Sequence, residues 1–193
     1  MAFSTVQRQV LRQMEIQKTA LEGLLIIQPK VFEDNRGYFF ETYNKGVFEN
    51  LGLNLDIVQS NISQSDNGVV RGLHYQNPPF AQGKLVRVLR GSVLDVAVDI
   101  RKTSPTYGQH LIVELSESNK TALWIPPGFA HGFRTLEDKT IFFYDCTGMY
   151  NKAAEGSILW NDPKLGIDWG ITNPSLSEKD ANAPSFYACN NLF

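Results

Sequence analysis

From Leu24 onward the chain is a succession of runs of four to eight residues rich in Leu, Ile, Val, Phe and Tyr, separated by Gly, Pro, Asn and Asp punctuation. Leu24–Gln28, Tyr38–Tyr43, Ile57–Ser60, Leu85–Leu89, Val93–Ile100, His110–Leu115, Thr121–Ile125 and Thr140–Asp145 read as strands. Asp34–Gly37, Gly91–Ser92 and Ser104–Gly108 punctuate them. Helical periodicity is weak apart from Lys45–Leu51 and the N-terminus. Eight or more short antiparallel strands restrict the chain to a sandwich, jelly roll or barrel, and a mainly β jelly roll with a few short helices is expected. Within Leu94-Asp-Val-Ala-Val-Asp99 the alternation is loose, which predicts a strand buried on both faces. A chain of 193 residues can bury roughly 70% of its unfolded surface, enough for one sizeable core. One domain over 14–193 is therefore expected, preceded by an extension over 1–13. There Ser4 stands three before Gln7 as in a capping box, and Val6, Val10 and Met14 recur at helical spacing. A short amphipathic helix and an unstructured appendage both fit that stretch.

Composition excludes several function classes. Eighteen Lys and Arg against twenty Asp and Glu give a net charge of −2. That supplies no bulk electrostatic drive toward a nucleic-acid polymer. Cys146 and Cys189 are too few for a disulfide framework and lie in no metal-binding or redox spacing, which fits a reducing compartment. The first fourteen residues carry Gln7, Arg8, Gln9, Arg12 and Gln13 without an apolar run, so they do not read as a secretory signal. No stretch approaches the roughly 20 apolar residues of a membrane span. A cytoplasmic, soluble protein without membrane partners is expected.

The side chains that could carry chemistry are scattered, as they are in a barrel whose site is built from several strands. Histidine occurs only at His74, His110 and His131. His110 opens an apparent strand and reads as structural or solvated. Pro126-x-Gly128-x-x-His131 resembles the second half of the cupin signature, in which the histidine is often a metal ligand. The first half normally supplies a His-x-His pair, but here it reads His74-Tyr-Gln76. Two imidazoles and a neutral amide make a poor first-row metal site, so a metal-free site is the better inference. Proton transfer then falls to side chains. His74 suits a general base if a carboxylate orients its second nitrogen, and by type alone either Asp162 or Asp180 qualifies. Tyr144 sits on the very apolar run Phe142-Phe-Tyr-Asp145, and Arg36, Arg71, Lys84 and Arg87 could converge on an anion. Neither a Walker loop nor G-x-G-x-x-G occurs, so a nucleotide would be held by side chains.

Eight blocks in order resemble the dTDP-4-dehydrorhamnose 3,5-epimerase family. They are Val31-Phe-Glu-Asp-Asn-Arg-Gly-Tyr-Phe-Phe-Glu41, Gln59-Ser-Asn61, Gly68-Val-Val-Arg-Gly-Leu-His-Tyr-Gln76, Gln82-Gly-Lys-Leu-Val86, Asp95-Val-Ala-Val-Asp-Ile-Arg101, Ser104-Pro-Thr-Tyr-Gly108, Pro126-Pro-Gly-Phe-Ala-His-Gly-Phe133 and Trp160-Asn-Asp-Pro163. The resemblance runs from about Met14 to Asp180. It implies a cupin-like jelly roll without metal or cofactor that works as a homodimer on dTDP-4-dehydro-6-deoxy-D-glucose. By position it makes His74 the catalytic base, Asp180 in Leu176-Ser-Glu-Lys-Asp180 its dyad partner, and Tyr144 the acid on the opposite face of the sugar. Lys84 suits stabilisation of the enolate oxygen. Arg36, Glu41, Gln59, Asn61, Arg71, Lys84, His131, Glu155 and Lys179 fall on positions that bind substrate, and Tyr150 matches the tyrosine that stacks on thymine. The chain departs from the family at Tyr150-Asn-Lys152, which lacks the usual proline, so the resemblance does not extend to the rigidity of that loop. The nearest competing readings are a relative acting at one carbon, or a 3,4-ketoisomerase. More distant ones are a non-catalytic cupin that binds a nucleotide sugar and a metal-dependent cupin oxygenase.

Overall fold

A computed structural model describes residues 14–193. Two antiparallel sheets face one another. In chain order the strands are β1 (Met14–Lys18), β2 (Leu25–Pro29), β3 (Phe32–Asp34), β4 (Gly37–Phe39), β5 (Gln59–Ser65), β6 (Val70–Gln76), β7 (Lys84–Arg90), β8 (Ser92–Asp99), β9 (His110–Ser116), β10 (Ala122–Ile125), β11 (Phe129–Thr135), β12 (Thr140–Cys146) and β13 (Glu155–Ser157). The first sheet runs β1-β2-β10-β7-β12-β5 and the second β13-β6-β11-β8-β9, while β3 and β4 pair with each other as a separate hairpin. The helices are short, α1 (Lys45–Asn50) and α2 (Glu178–Ala181). Each begins on a side-chain cap, Asn44 accepting from the Val47 amide and Ser177 from the Asp180 amide. No helix among the described residues is long and apolar enough to cross a membrane.

Apolar burial explains the layering. Val86, Val88, Leu123, Ile125 and Phe142 from the first sheet meet Val93, Ala97, Leu115, Phe129 and Phe133 from the second in the inter-sheet core. Along β8 the alternate residues Val96 and Val98 face away from that core. The C-terminal segment covers them with Ile158, Trp160, Leu165, Trp169 and Phe186, which is why the Leu94–Asp99 run is largely buried on both sides. The outer face of the first sheet is covered by α1 through Phe48, together with Leu55.

Several elements differ from the sequence reading. Met14 does not continue a helix. It pairs with Pro29 at the start of β1 and is buried in the outer cluster, so strand pairing overrides local periodicity there. Residues 1–13, with the remainder of the expected amphipathic segment, lie outside the described residues. Tyr38–Tyr43 contributes only its first two residues to a strand, because the β3–β4 hairpin ends at Phe39. The strand expected at Ile57 begins at Gln59 and runs on to Ser65. It is a polar edge strand whose cross-strand bonds go to β12, and its composition gives little apolar signal. β6, β11 and β13 are strands that the apolar pattern of the sequence does not mark over their full lengths. In β6, Gly72 (φ +127°) lets two strands nearly touch, since a Cβ there would lie 2.5 Å from the Gly132 Cα. That close approach sets β6 against β11 with His74 directly opposite His131.

Candidate active site

The facing strands enclose a cavity of about 500 Å³. From the second sheet β6 contributes Arg71 and His74, and β11 contributes His131 and Phe133. From the first sheet β7 contributes Lys84, and β12 contributes Phe142 and Tyr144. Ser177, Lys179 and Asp180 close one side from α2 and its cap. Phe133 and Phe142 stack across the gap at 4.1 Å between ring centroids and 19° between planes, an apolar floor that continues into the core. A smaller recess of about 120 Å³ shares His74, Lys84 and Tyr144 and adds Gln59, Asn61, Tyr150 and Glu155. The site is therefore elongated, with a narrow polar end beside Tyr150.

His74 and Asp180, 106 residues apart, meet at 2.5 Å between Nε2 and Oδ1. The carboxylate can only accept, so Nε2–H donates, and Nδ1 is left with no protein partner among the described residues. Burial alone would raise the Asp180 carboxyl. The His74 hydrogen bond and charge, the Ser177 contact and Lys179 outweigh it and hold the carboxyl below its ordinary value. On the opposite sheet, burial pushes the Tyr144 phenol up, Cys146 adds to this and Arg71 opposes it. The phenol therefore keeps its proton near neutral pH and can donate it. Burial pushes the Lys84 ammonium down, against the nearby Cys146, Asp95 and Glu155. Burial also raises the Cys146 thiol, which argues against a thiolate nucleophile. An imidazole held by a carboxylate thus faces a protonated phenol across one cavity with the Lys84 amine beside them. Such a set can remove a proton from one face of a carbon acid and return one to the other.

A family model described as dTDP-4-dehydrorhamnose 3,5-epimerase matches residues 18–188. The dTDP-4-dehydrorhamnose 3,5-epimerase of Salmonella typhimurium is 55% identical over 173 residues, covering 89% of this chain and 94% of the relative. The chain belongs to the dTDP-4-dehydrorhamnose 3,5-epimerase family. The crystal structure of dTDP-6-deoxy-D-glucose-3,5-epimerase from Legionella pneumophila, in complex with dTDP-4-keto-L-rhamnose, superposes with a TM-score of 0.88. It is 48% identical, and the match covers 91% of this chain and 94% of that one. A 3'-monoepimerase from Streptomyces bikiniensis, in complex with dTDP-quinovose, is more distant at 34% identity and a TM-score of 0.84, covering 88% and 86%.

Within this epimerase fold, the residues singled out from sequence fall into two groups. His74, Asp180, Tyr144, Lys84, Arg71, His131 and Lys179 line the larger cavity, and Gln59, Asn61, Tyr150 and Glu155 the smaller. Gln59 donates to Asn61 Oδ1 and accepts the Tyr150 amide, while Lys179 Nζ lies 2.5 Å from Glu155 Oε1. Arg36 and Glu41 line neither space. Arg36 sits on the β3–β4 turn paired with Asp34, its side chain 85% exposed, and Glu41 follows the hairpin with Oε1 buried and without a hydrogen-bond partner among the described residues. Asp162, the alternative partner for His74, instead accepts the backbone amides of Lys164 and Phe186. His110 opens β9, where burial pushes its imidazole down.

The Gln76 side chain, weighed from sequence as a replaced metal ligand, serves the loop that lacks the proline. It accepts the Asn151 amide at 2.6 Å and donates to the Met149 carbonyl at 3.2 Å. Asn151 then caps the short 3₁₀ turn Lys152–Ala154. Tyr150 thus lies between two anchored neighbours without a proline. The motif His74-Tyr-Gln76 held the signal, but the partner lies 75 residues away. Among the described residues no group of three or more His, Cys, Asp or Glu comes together as a metal site.

Proposed function

We propose that this protein inverts C3 and C5 of dTDP-4-dehydro-6-deoxy-D-glucose to give dTDP-4-dehydro-β-L-rhamnose, a step toward dTDP-L-rhamnose. The observation that carries the reading is the placement of His74 and Tyr144 on opposite sheets across one cavity. The C4 ketone acidifies the protons on both neighbouring carbons. His74 Nδ1 takes one of them, with Asp180 holding the ring by Nε2 and stabilising the imidazolium that forms. Electron density moves to the C4 oxygen, where the Lys84 ammonium stabilises the enolate. Tyr144 returns a proton from the other wall and is re-protonated from solvent, while His74 releases its own proton to solvent. The neighbouring carbon is treated in the same way. Gln59, Asn61, Arg71, His131, Tyr150, Glu155 and Lys179 are the proposed holders of the sugar nucleotide, with Tyr150 stacking on the thymine. The chain's greater identity to 3,5-epimerases than to the 3'-monoepimerase supports inversion at both carbons. Incubation with the substrate, trapping by an NADPH-dependent reductase and NMR of the product test this. The L-configured deoxysugar nucleotide is expected, and a product inverted at one carbon would overturn the reading.

The same reading makes the enzyme a cytoplasmic homodimer. Arg36 and Glu41 belong to the proposed substrate contacts yet miss their own chain's cavity, and their hairpin exposes Phe32 (50%), Tyr38 (52%) and Phe39 (71%). A hairpin that docks on a second copy would cover these rings and bring both residues to the partner's cavity. Mixing inactive Arg36→Ala and His74→Ala proteins after co-refolding should restore part of the activity, because one hybrid site is intact. No recovery, or a monomer by sedimentation, would remove this arrangement.

A further inference from the structure

Beside His74, on the neighbouring strand, lies a second imidazole–carboxylate pair, His131 with Asp95, whose carboxylate has no role in the mechanism above. His131 Nε2 is 2.9 Å and 3.1 Å from the two oxygens of Asp95. Asp95 is on β8, flanked on the same face by Val93 and Ala97, and its side chain is wholly buried in the inter-sheet core. Burying a carboxylate there carries a desolvation penalty, and a well-packed apolar residue would usually be as stable or more so. A merely structural imidazole needs no more than a neutral acceptor such as a backbone carbonyl. The carboxylate does something a neutral acceptor does less well. It keeps the proton on Nε2 and fixes the ring plane. Nδ1 has no hydrogen bond among the described residues, and the ring lines the catalytic cavity. His131 is also the cross-strand partner of His74, so the two rings stand side by side on one wall.

We propose that Asp95 is a positioning residue. Through Nε2 it makes His131 a second oriented imidazole, whose Nδ1 hydrogen-bonds an oxygen of the sugar ring next to the carbons that His74 serves. The two pairs then divide the work on one wall, His74–Asp180 moving protons and His131–Asp95 fixing the ring against the base. Asp95 also acts electrostatically on Lys84 across the cavity, so its charge reaches both the enolate cation and the ring-holding imidazole. This inference rests on the substrate reading above.

The test is a double-mutant cycle on the full chain with dTDP-4-dehydro-6-deoxy-D-glucose, together with ¹⁵N NMR of the histidine rings. Asp95→Asn should lower kcat by about 10²-fold with KM changed only a few-fold, as for other carboxylates that orient a working imidazole. His131→Gln should lose a similar factor, and the double variant should be no slower than His131→Gln alone. Losses that multiply, or an unchanged kcat in Asp95→Asn, would overturn the proposal. The wild-type spectrum gives a readout that does not depend on the variants folding. Nε2 of His131 should carry the proton, and a neutral ring protonated only at Nδ1 would overturn the proposal by itself. Failure of the substrate reading shows separately, as wild-type protein that binds but does not convert the sugar nucleotide.

Discussion

Two buried carboxylates in this protein are satisfied in opposite ways. Asp99 closes β8 and accepts from Arg101 Nε at 2.8 Å, Arg101 Nη2 at 2.7 Å, Ser104 Oγ at 2.6 Å, Thr106 Oγ1 at 2.6 Å and the Arg101 amide at 3.0 Å. Every donor lies within seven residues, and together they tie down the loop between β8 and β9. Burial alone would raise its pKa, but these donors outweigh burial and bring it to about 2. Asp180 has as its chief side-chain partner His74, 106 residues away in the sequence, and that ring keeps a nitrogen without a protein partner among the described residues beside a cavity. A carboxylate saturated by local donors holds a loop. A carboxylate given chiefly to one imidazole at a cavity wall orients that ring.

The contrast predicts separable losses. His74→Ala should lower kcat by roughly 10³–10⁴-fold while calorimetry still detects substrate binding; near-normal turnover would exclude His74 as the base. Asp180→Asn should cost about 10²-fold in kcat through the tautomer it imposes, with a urea midpoint close to wild type. A large loss of stability without a kinetic defect would place Asp180 with Asp99. Asp99→Ala should do the reverse. It leaves Arg101, Ser104 and Thr106 without their shared acceptor and should lower unfolding free energy by about 2–3 kcal/mol, with kcat little changed in the folded fraction. The smallest effect is on acid stability. Because the Asp99 value is depressed on folding, its contribution is complete above the unfolded value of 3.8 and fades as pH falls toward about 2. The stability gap between wild type and Asp99→Asn should therefore narrow across that window, and a gap independent of pH would count against the loop knot.

How much of this was legible in sequence follows the same division between local and distant partners. The central strands β7, β8, β10 and β12 announce themselves through dense β-branched and aromatic residues that are buried in the sandwich. β6 is harder to see, because its cavity-facing residues are Arg71 and His74 and its close approach to β11 needs Gly72. β5 alternates polar residues along an edge and so starts later than its apolar neighbour Ile57 suggests. Among site residues, type alone left Asp162 and Asp180 equal. Only the tertiary contact separates a carboxylate holding backbone amides from one holding His74. Asp95 escaped notice, although a charged residue inside a doubly buried strand was already a signal. The Gln76 anchor of the Tyr150 loop escaped as well, since nothing local points from residue 76 to residue 151.

The central claim is that base and acid act from opposite walls. Site-resolved deuterium incorporation, read by proton NMR in D₂O with wild-type protein and with Tyr144→Phe, tests it most directly. Wild type should place deuterium at both C3 and C5 of an L-configured product. Tyr144→Phe should still exchange protons through His74 while returning sugar of the original configuration. Unimpaired inversion by Tyr144→Phe, or wild-type exchange at one carbon alone, would contradict the account.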